Sequence, residues 1–223
     1  MKLPRGLVVS CQARSGSALD DPQIIAALAA VAESNGAIAV RIQGVANIRA
    51  VRARVNIPII GLIKKNYDGF EPYITPTIDD VDAIADAGAV IIAYDATLRS
   101  RPGNVEPASI QAAIESRGLV SMADCSDERD AGAACESGAA IVATTLCGYT
   151  KESAGAQLPA LDLVRFIRRQ LVAGSGQQAV CEGGIHTPEQ AAAALAAGAD
   201  AVVVGTAITN VDWQVERFVR SLA

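Results

Sequence analysis

Two ionisable side chains that could exchange protons with a substrate each follow an apolar segment typical of a buried strand. Lys64 ends the run Ile59-Ile60-Gly61-Leu62-Ile63, and Glu182 follows Ala179-Val180-Cys181. Desolvation disfavours the charged form, so we expect a lowered pKa for Lys64 and a raised pKa for Glu182. A nearby Arg41 would lower the pKa of Lys64 further, toward the range of about 7–8 that suits a general base. The two residues are therefore a candidate acid–base pair.

Each member of this pair also has a simpler interpretation. Lys64 could extend its amine to solvent, or it could bind a phosphate without taking part in chemistry. Glu182 could form an ion pair with Lys64 or Arg41 that only holds the end of its strand in place. The sequence alone leaves these alternatives open.

Polar residues end the other apolar segments as well. The full set is Gln12, Arg41, Lys64, Asp95, Asp124, Thr145, Glu182 and Thr206. If the segments are parallel strands of one closed sheet, these side chains converge at one rim and form a concave polar site. Asp95 and Asp124 could hydrogen-bond a sugar, orient Lys64 or help to open a sugar ring, and we expect both to bind substrate.

Glycines follow the last two apolar segments. Gly183-Gly184 comes directly after Glu182, and Gly205-Thr206 follows the final segment. Many (β/α)₈ barrels bind phosphate in these two adjacent loops through backbone amides and the start of a short helix. Gly183, Gly184, Gly205 and Thr206 are therefore candidate phosphate-binding residues, although a glycine pair can also be only a turn.

The elements that would position these residues are eight strands that alternate with eight helices. The predicted strands are Leu7–Gln12, Ile38–Ile42, Pro58–Lys64, Val90–Asp95, Leu119–Asp124, Ala140–Thr145, Gln178–Glu182 and Ala201–Gly205. The predicted helices are Pro22–Ser34, Val45–Val55, Ile78–Ala87, Pro107–Ser116, Asp127–Ser137, Leu161–Val172, Pro188–Ala197 and Val211–Ser221. Capping residues such as Asp21-Pro22 and Thr187-Pro188 precede several helices, and glycines such as Gly36 and Gly198 follow several, including these two.

Eight such units in 223 residues predict an α/β fold, a closed (β/α)₈ TIM barrel, as a single domain over residues 1–223. The alternative is an open doubly wound sheet. That fold would favour a glycine-rich dinucleotide motif after the first strand, and Cys11-Gln12-Ala13-Arg14-Ser15-Gly16 does not provide one.

Two connections are long, Lys65–Thr77 and Gly148–Pro159. Both follow strand ends, so they are candidates for binding loops, or they are simply surface loops.

Charge argues against a polyanionic partner. The formal net charge is −5, whereas nucleic acid and anionic membranes are bound by clustered Lys and Arg. A small phosphorylated ligand stays compatible with this charge, because a few backbone amides can bind one phosphate. No apolar run approaches the ~18–20 residues of a membrane helix.

The cysteines and the histidine bear on compartment and metal content. Five cysteines without a CxxC pair suit a reduced compartment, so we expect a cytoplasmic protein. Because His186 is the single histidine, the usual His/Cys metal clusters cannot form. We expect no metal and no cofactor, although carboxylates alone could bind Mg²⁺.

Taken together, the chain resembles the N-acetylmannosamine-6-phosphate 2-epimerase family nearly from end to end. The matching segments are Leu7-Val8-Val9-Ser10-Cys11-Gln12-Ala13, Arg41, Pro58-Ile59-Ile60-Gly61-Leu62-Ile63-Lys64-Lys65, Asp95-Ala96-Thr97, Met122-Ala123-Asp124, Gly148-Tyr149-Thr150, Glu182-Gly183 and Val203-Val204-Gly205-Thr206-Ala207-Ile208-Thr209. The long loop Lys65–Thr77 also looks like the family's. The chain departs from the family at Gly184, where a basic residue often follows Glu-Gly.

The resemblance implies inversion at C2 of N-acetylmannosamine 6-phosphate to give N-acetylglucosamine 6-phosphate, a step in sialic-acid and amino-sugar breakdown. It implies that Lys64 and Glu182 are the catalytic pair and that Gln12, Arg41 and Asp124 bind substrate. It also implies a homodimer. The alternatives are a Schiff-base aldolase that uses Lys64, a metal-dependent ketose-phosphate epimerase, and a phosphosugar-binding barrel without catalysis.

Overall fold

Eight parallel strands pair in chain order, and the last pairs with the first, in the computed structural model that describes residues 1–222. The strands are β1 (Gly6–Cys11), β2 (Ala39–Gln43), β3 (Ile59–Leu62), β4 (Ile91–Asp95), β5 (Val120–Asp124), β6 (Ile141–Ala143), β7 (Gln178–Glu182) and β8 (Ala201–Val204). The closed order β1 to β8 confirms the predicted (β/α)₈ barrel. It also means that the carboxyl ends of all eight strands lie at one rim.

Helices connect the strands around the outside of the barrel. They are α1 (Pro22–Ser34), α2 (Val45–Arg52), α3 (Ile78–Asp86), α4 (Pro107–Ser116), α5 (Glu128–Glu136), α6 (Leu161–Gln170), α7 (Pro188–Ala196), α8 (Thr206–Thr209) and α9 (Val211–Leu222). The eight predicted helices are present, most of them a few residues shorter than predicted. The four-residue helix α8 and a 3₁₀ turn at Pro102–Asn104 were not predicted.

The predicted capping residues begin their helices. The Asp21 carboxylate accepts hydrogen bonds from the backbone N–H groups of Gln23 and Ile24 at the start of α1. Thr187 and Gln190 form a reciprocal capping box at the start of α7. Each pair satisfies N–H groups that have no partner within the helix, so the local sequence determines where these helices begin.

Alternate strand residues form two buried layers. The inner layer fills the barrel with residues that include Val8, Ala39, Ile60, Ile91, Met122, Ile141, Val180 and Ala201. The intervening residues, such as Val9, Val40, Ile59 and Ile92, pack against the helices. Gly61 allows close packing there, because a Cβ atom at this position would lie 2.6 Å from Ile84 and 2.7 Å from Ala89. Burial on both faces explains why these strands are apolar throughout.

The third strand is shorter than predicted, since it ends at Leu62 and not at Lys64. The connection after it folds back as an antiparallel segment in which Lys64 is bridged to Ile74. The backbone N–H of Thr75 donates to the Ile63 carbonyl at 2.7 Å. Lys64 therefore leaves the sheet and enters the loop after β3. Among residues 1–222, every helix falls short of the length and apolar character that crossing a bilayer requires.

Candidate active site

A cavity of about 410 Å³ opens at the rim formed by the strand ends. The residues that line it include eight of the predicted site residues: Gln12, Arg41, Lys64, Glu182, Gly183, Gly184, Gly205 and Thr206. They come from five of the eight strand ends, far apart in the sequence. The convergence expected of a closed barrel therefore brings the predicted acid–base pair and the predicted phosphate loops into one cavity.

Arg41 lies beneath this cavity between two carboxylates. Arg41 is only 1% exposed, and its guanidinium contacts Asp124 through both Nη atoms, at 3.1 Å and 2.7 Å. Nη1 also lies 2.9 Å from Oε2 of Glu182. Burial opposes the charge of Arg41, but the two carboxylates outweigh it and raise the pKa of the guanidinium. Arg41 is therefore a fixed positive charge that holds Glu182 in position.

Thr145 completes this network, although the sequence analysis placed it at a strand end without assigning it a role. Its hydroxyl lies 2.6 Å from Oδ1 of Asp124 and 3.2 Å from Oε2 of Glu182. One hydroxyl proton can be donated to only one of these oxygens at a time. Thr145 thus connects the segment after β6 to Asp124 of β5 and Glu182 of β7. Its place at a strand end was visible in the sequence, but its partners were not.

The pKa of Glu182 is raised from 4.5 to about 7, and the pKa of Lys64 is lowered from its ordinary value. Desolvation is the largest cause for both residues. Arg41 opposes the shift of Glu182 and adds to that of Lys64, and the second of these effects was expected from the sequence. Lys64 is accessible from the open cavity and makes no ion pair with any carboxylate among the described residues. The two shifts therefore bring the pKa values of Glu182 and Lys64 closer together.

The structure does not place Asp95 on the surface of the cavity. Its carboxylate has no exposed surface and accepts hydrogen bonds from the Thr97 hydroxyl at 2.6 Å and from Arg99 at 2.9 Å. Arg101 lies 3.7 Å away. These contacts fix the loop after β4, so the expectation that Asp95 reaches a sugar is not supported by its position.

Asp124 occupies an intermediate position. It is fully buried and is not among the residues that line the cavity in the described part of the chain. It nevertheless contacts Arg41 and Thr145, which both line the cavity. Asp124 is thus placed to orient Arg41, and the prediction that it binds substrate directly stays a prediction.

The two glycine loops lie on one side of the cavity. Gly184 has a φ of +67°, and a Cβ atom there would lie 2.3 Å from Cβ of Leu158. A side chain at residue 184 is thus disfavoured both by backbone strain and by contact with the loop after β6. Gly205 directly precedes helix α8, which begins at Thr206. Both loops line the cavity, and the prediction that they bind phosphate stays a prediction.

Other cavity residues come from the long loops and the C-terminal segment, and the sequence analysis did not select them. Tyr73 and Tyr149 belong to the two long loops, and Asn210 separates α8 from α9. The His186 ring stacks on Trp213 of α9, with the ring centroids 5.2 Å apart. The lengths of the two loops were a signal for their involvement, whereas a contact between the β7 loop and α9 had no signal in the sequence.

The chain was compared with known proteins. A family model described as "Putative N-acetylmannosamine-6-phosphate epimerase" matches residues 25–223. A Klebsiella pneumoniae protein named "Putative N-acetylmannosamine-6-phosphate 2-epimerase" is 47% identical over 207 residues, which cover 93% of this chain and 85% of the relative. A Salmonella arizonae protein of the same name is also 47% identical, over 93% of this chain and 87% of the relative.

Solved structures agree with this comparison. The N-acetylmannosamine-6-phosphate 2-epimerase from Clostridium perfringens superposes with a TM-score of 0.92 at 36% identity, over 98% of this chain and 94% of that one. Orotidine 5'-phosphate decarboxylase from Pyrococcus horikoshii has a TM-score of 0.62 at 15% identity and shares the fold alone. From the extent of the family match and the identity to these relatives, the chain belongs to the N-acetylmannosamine-6-phosphate epimerase family of carbohydrate isomerases.

Proposed function

We propose that this protein inverts C2 of N-acetylmannosamine 6-phosphate to give N-acetylglucosamine 6-phosphate by removing and returning a proton. The observation that carries the proposal is the placement of Lys64 and Glu182 in one cavity, with pKa values shifted toward each other. The names of the relatives supply the substrate. We expect its phosphate to bind at the two glycine loops, which line the same cavity.

Inversion at C2 needs a base, an acid and stabilisation of an anion. In the open-chain sugar, C2 lies next to the C1 aldehyde, so loss of its proton gives an enolate-like intermediate with negative charge on the C1 oxygen. A proton returned to the opposite face produces the other epimer. No electrons are transferred overall, so this chemistry needs no redox cofactor. A protonated Lys64 or the fixed charge of Arg41 can stabilise the developing oxyanion.

Lys64 and Glu182 can serve the two faces with a single proton between them. When Glu182 is ionised and Lys64 is protonated, Glu182 removes the C2 proton and Lys64 returns one. When Glu182 is protonated and Lys64 is neutral, the roles are reversed. Both working states hold one proton on the pair, so the forward and reverse reactions share one pH range.

Activity should therefore fall on both sides of neutral pH. Below a pH of about 7 the raised pKa of Glu182 leaves both groups protonated, so no base is available, and kcat should fall about tenfold per pH unit. At alkaline pH both groups lose their protons, and the lowered pKa of Lys64 places this limb below the ordinary range of lysine. The profile is measured with saturating substrate. A kcat that stays constant down to pH 5 would exclude ionised Glu182 as a base.

Removal of the 6-phosphate should impair the reaction severely. If the phosphate binds at the loops of Gly184 and Gly205, its binding energy holds the distant C2 atom between Lys64 and Glu182. We expect kcat/KM for N-acetylmannosamine to be at least about a hundredfold below that for the 6-phosphate. The two substrates are compared in the same coupled assay. Similar values would show that the glycine loops do not bind the phosphate during the reaction.

The direct test of the proposal is NMR of N-acetylmannosamine 6-phosphate with the protein in D₂O. Epimerisation gives N-acetylglucosamine 6-phosphate with deuterium at C2, because the returned proton comes from a group that exchanges with solvent. Conversion without deuterium at C2 would contradict deprotonation at that carbon. Absence of conversion in either direction would overturn the proposed activity.

One observation, the lowered pKa of Lys64, favours an alternative function, that of a Schiff-base aldolase. A lysine with a lowered pKa can attack a carbonyl, and Lys64 has this property. Attack on an aldehyde followed by loss of water would give an imine that borohydride reduces to a stable amine. Mass spectrometry of the protein after treatment with substrate and borohydride checks this. An adduct on Lys64 would favour the aldolase, whereas an unmodified chain agrees with proton transfer.

A further inference from the structure

Among residues 1–222, four basic side chains line the cavity, and the proposed chemistry engages only two of them. Arg41 is buried against its carboxylates, and Lys64 is assigned to proton transfer. Arg14, in the loop after β1, and His186, in the loop after β7, remain. Arg14 carries a permanent charge and a planar set of donors, which suits recognition of a phosphate.

Arg14 extends from a loop that lies against the predicted phosphate loop. Strand β1 pairs with β8, and the hydroxyl of Thr209 donates to the carbonyl oxygen of Ser10 at 2.7 Å. A Cβ atom at Gly205 would lie 3.1 Å from Cβ of Ser10. The end of β1 is therefore in contact with the segment that carries Gly205 and Thr206. Arg14 follows four residues later and lines the same cavity.

The glycine loops themselves provide no charged group. A side chain at residue 184 would collide with Leu158, so a cation cannot be placed there without moving the loop after β6. Gly183, Gly205 and Thr206 offer only backbone amides and a hydroxyl. A sugar phosphate carries nearly two negative charges at pH 7, and a charge-assisted partner binds it more strongly than neutral donors alone. A cation that strengthens phosphate binding would therefore have to come from a neighbouring loop.

Glu216 of α9 contacts the same guanidinium. Nη1 of Arg14 lies 2.8 Å from Oε1 of Glu216, and their side chains are 53% and 40% exposed. Exposed ion pairs contribute little to stability, so this contact can be exchanged for another anion at small cost. Arg220, on the same helix, lies 3.5 Å from Glu216 and remains as a partner for the carboxylate.

We propose that Arg14 binds the substrate phosphate and that Glu216 competes with the phosphate for the Arg14 guanidinium. The proposal deepens the proposed function, on which it rests for the identity of the phosphorylated ligand. It assigns the charge of the phosphate site to the β1 loop. It also implies that Glu216 of α9 weakens the binding of phosphorylated substrates.

Two substitutions should have opposite effects. Arg14→Gln removes the cation, and we expect KM for the 6-phosphate substrate to rise about tenfold or more with kcat within about twofold. Glu216→Gln removes the competitor, and we expect KM to fall about two- to fivefold. Arg14→Lys keeps the charge without the planar donors and should lie between Arg14→Gln and the natural chain.

The matched controls are Arg165→Gln and Asp162→Asn. Arg165 is 50% exposed, pairs with Asp162 at 2.6 Å on α6 and does not line the cavity. These variants change the net charge by the same amounts as Arg14→Gln and Glu216→Gln, but neither residue lines the cavity, so KM should stay unchanged. An equal effect of a test variant and its control would mean that only overall charge matters, and this would overturn the proposal.

Binding of inorganic phosphate separates this proposal from the proposed function. Titration followed by ³¹P NMR or calorimetry requires no turnover, and Arg14→Gln should weaken it while Glu216→Gln strengthens it. If that pattern holds without epimerisation by the natural chain, the phosphate site stands and the proposed function fails. If the natural chain epimerises but both variants weaken phosphate binding, or neither changes it, Arg14 and Glu216 only connect the β1 loop to α9 and the proposal is wrong.

Discussion

Replacement of either Lys64 or Glu182 should abolish net epimerisation while leaving proton exchange at C2 in one of the two epimers. If each group serves one face of C2, as we propose, removal of one group prevents inversion in both directions. The remaining group can still remove the proton that faces it and return one to the same face. Exchange of that epimer with D₂O therefore survives, and the epimer that exchanges should differ between the two variants.

Lys64→Met and Glu182→Gln test this with little change in shape. The amide introduced by Glu182→Gln retains an oxygen that can accept from Arg41 and Thr145, which contact Glu182 in the natural chain. Loss of a general base or acid costs about 10²–10⁴-fold, so we expect kcat to fall by that factor in each variant. Proton NMR in D₂O follows conversion and exchange for each pure epimer in the same sample.

Lys65→Met is the matched control for the lysine. Lys65 follows Lys64 in the same loop, but its amine lies over the Tyr67 ring at 4.8 Å and does not line the cavity. This variant should keep its activity. A fall of less than about tenfold in either test variant would assign that residue to binding or structure. If both test variants lost exchange with both epimers, a single-base mechanism would replace the two-face assignment.

The fold and the acid–base pair could be predicted because both depend on local sequence. Burial on both faces makes each strand apolar, and the polar residue that ends it marks the rim. Lys64 and Glu182 stood out because a charged residue directly after such a strand is costly unless it is used or paired. The helix boundaries at Asp21 and Thr187 were also local, since capping side chains bond to residues two or three positions away.

The contacts between loops could not be predicted in the same way. The pair of Arg14 and Glu216 joins residues 202 positions apart, and no local pattern marks it. Helix α8 has four residues, which is too short for a helical period to be recognised. The structural role of Asp95, by contrast, does have a local signal in the sequence. Thr97, two residues later, donates both its hydroxyl and its backbone N–H to Asp95, as in the local turns that aspartate forms.

Replacement of Arg41 by methionine should cause the largest loss of stability of any substitution at the site. The change removes the cation between Asp124 and Glu182 and leaves two carboxylates without their shared partner. Breaking a buried ion pair from one side costs about 3–5 kcal/mol, because the remaining charge stays buried. For a chain of this length that corresponds to a fall in Tm of roughly 6–20 °C. Thermal and urea unfolding measure the loss.

Arg117→Met is the control for loss of an arginine with two acidic partners. Arg117 contacts Asp82 and Asp86, but its side chain is 38% exposed. Ion pairs at such positions are worth about 0–1 kcal/mol, so this variant should unfold nearly like the natural chain. Equal losses of stability in the two variants would show that the buried ion pairs of Arg41 contribute no more to stability than the exposed ion pairs of Arg117.

The stability deficit of Arg41→Met should depend on pH in a defined direction. Arg41 lowers the pKa of Glu182, so its removal raises that pKa further above the ordinary value of 4.5. A carboxyl group whose pKa is raised by folding favours the folded state when protonated, and this contribution is lost as pH rises through the folded pKa. The deficit should therefore be smaller at pH 5.5 than at pH 8. Adding Asp124→Asn, which removes one of the two uncompensated charges, should recover part of the stability at pH 8. A deficit that is independent of pH, with no recovery in the double variant, would mean that Arg41 stabilises the barrel by packing alone.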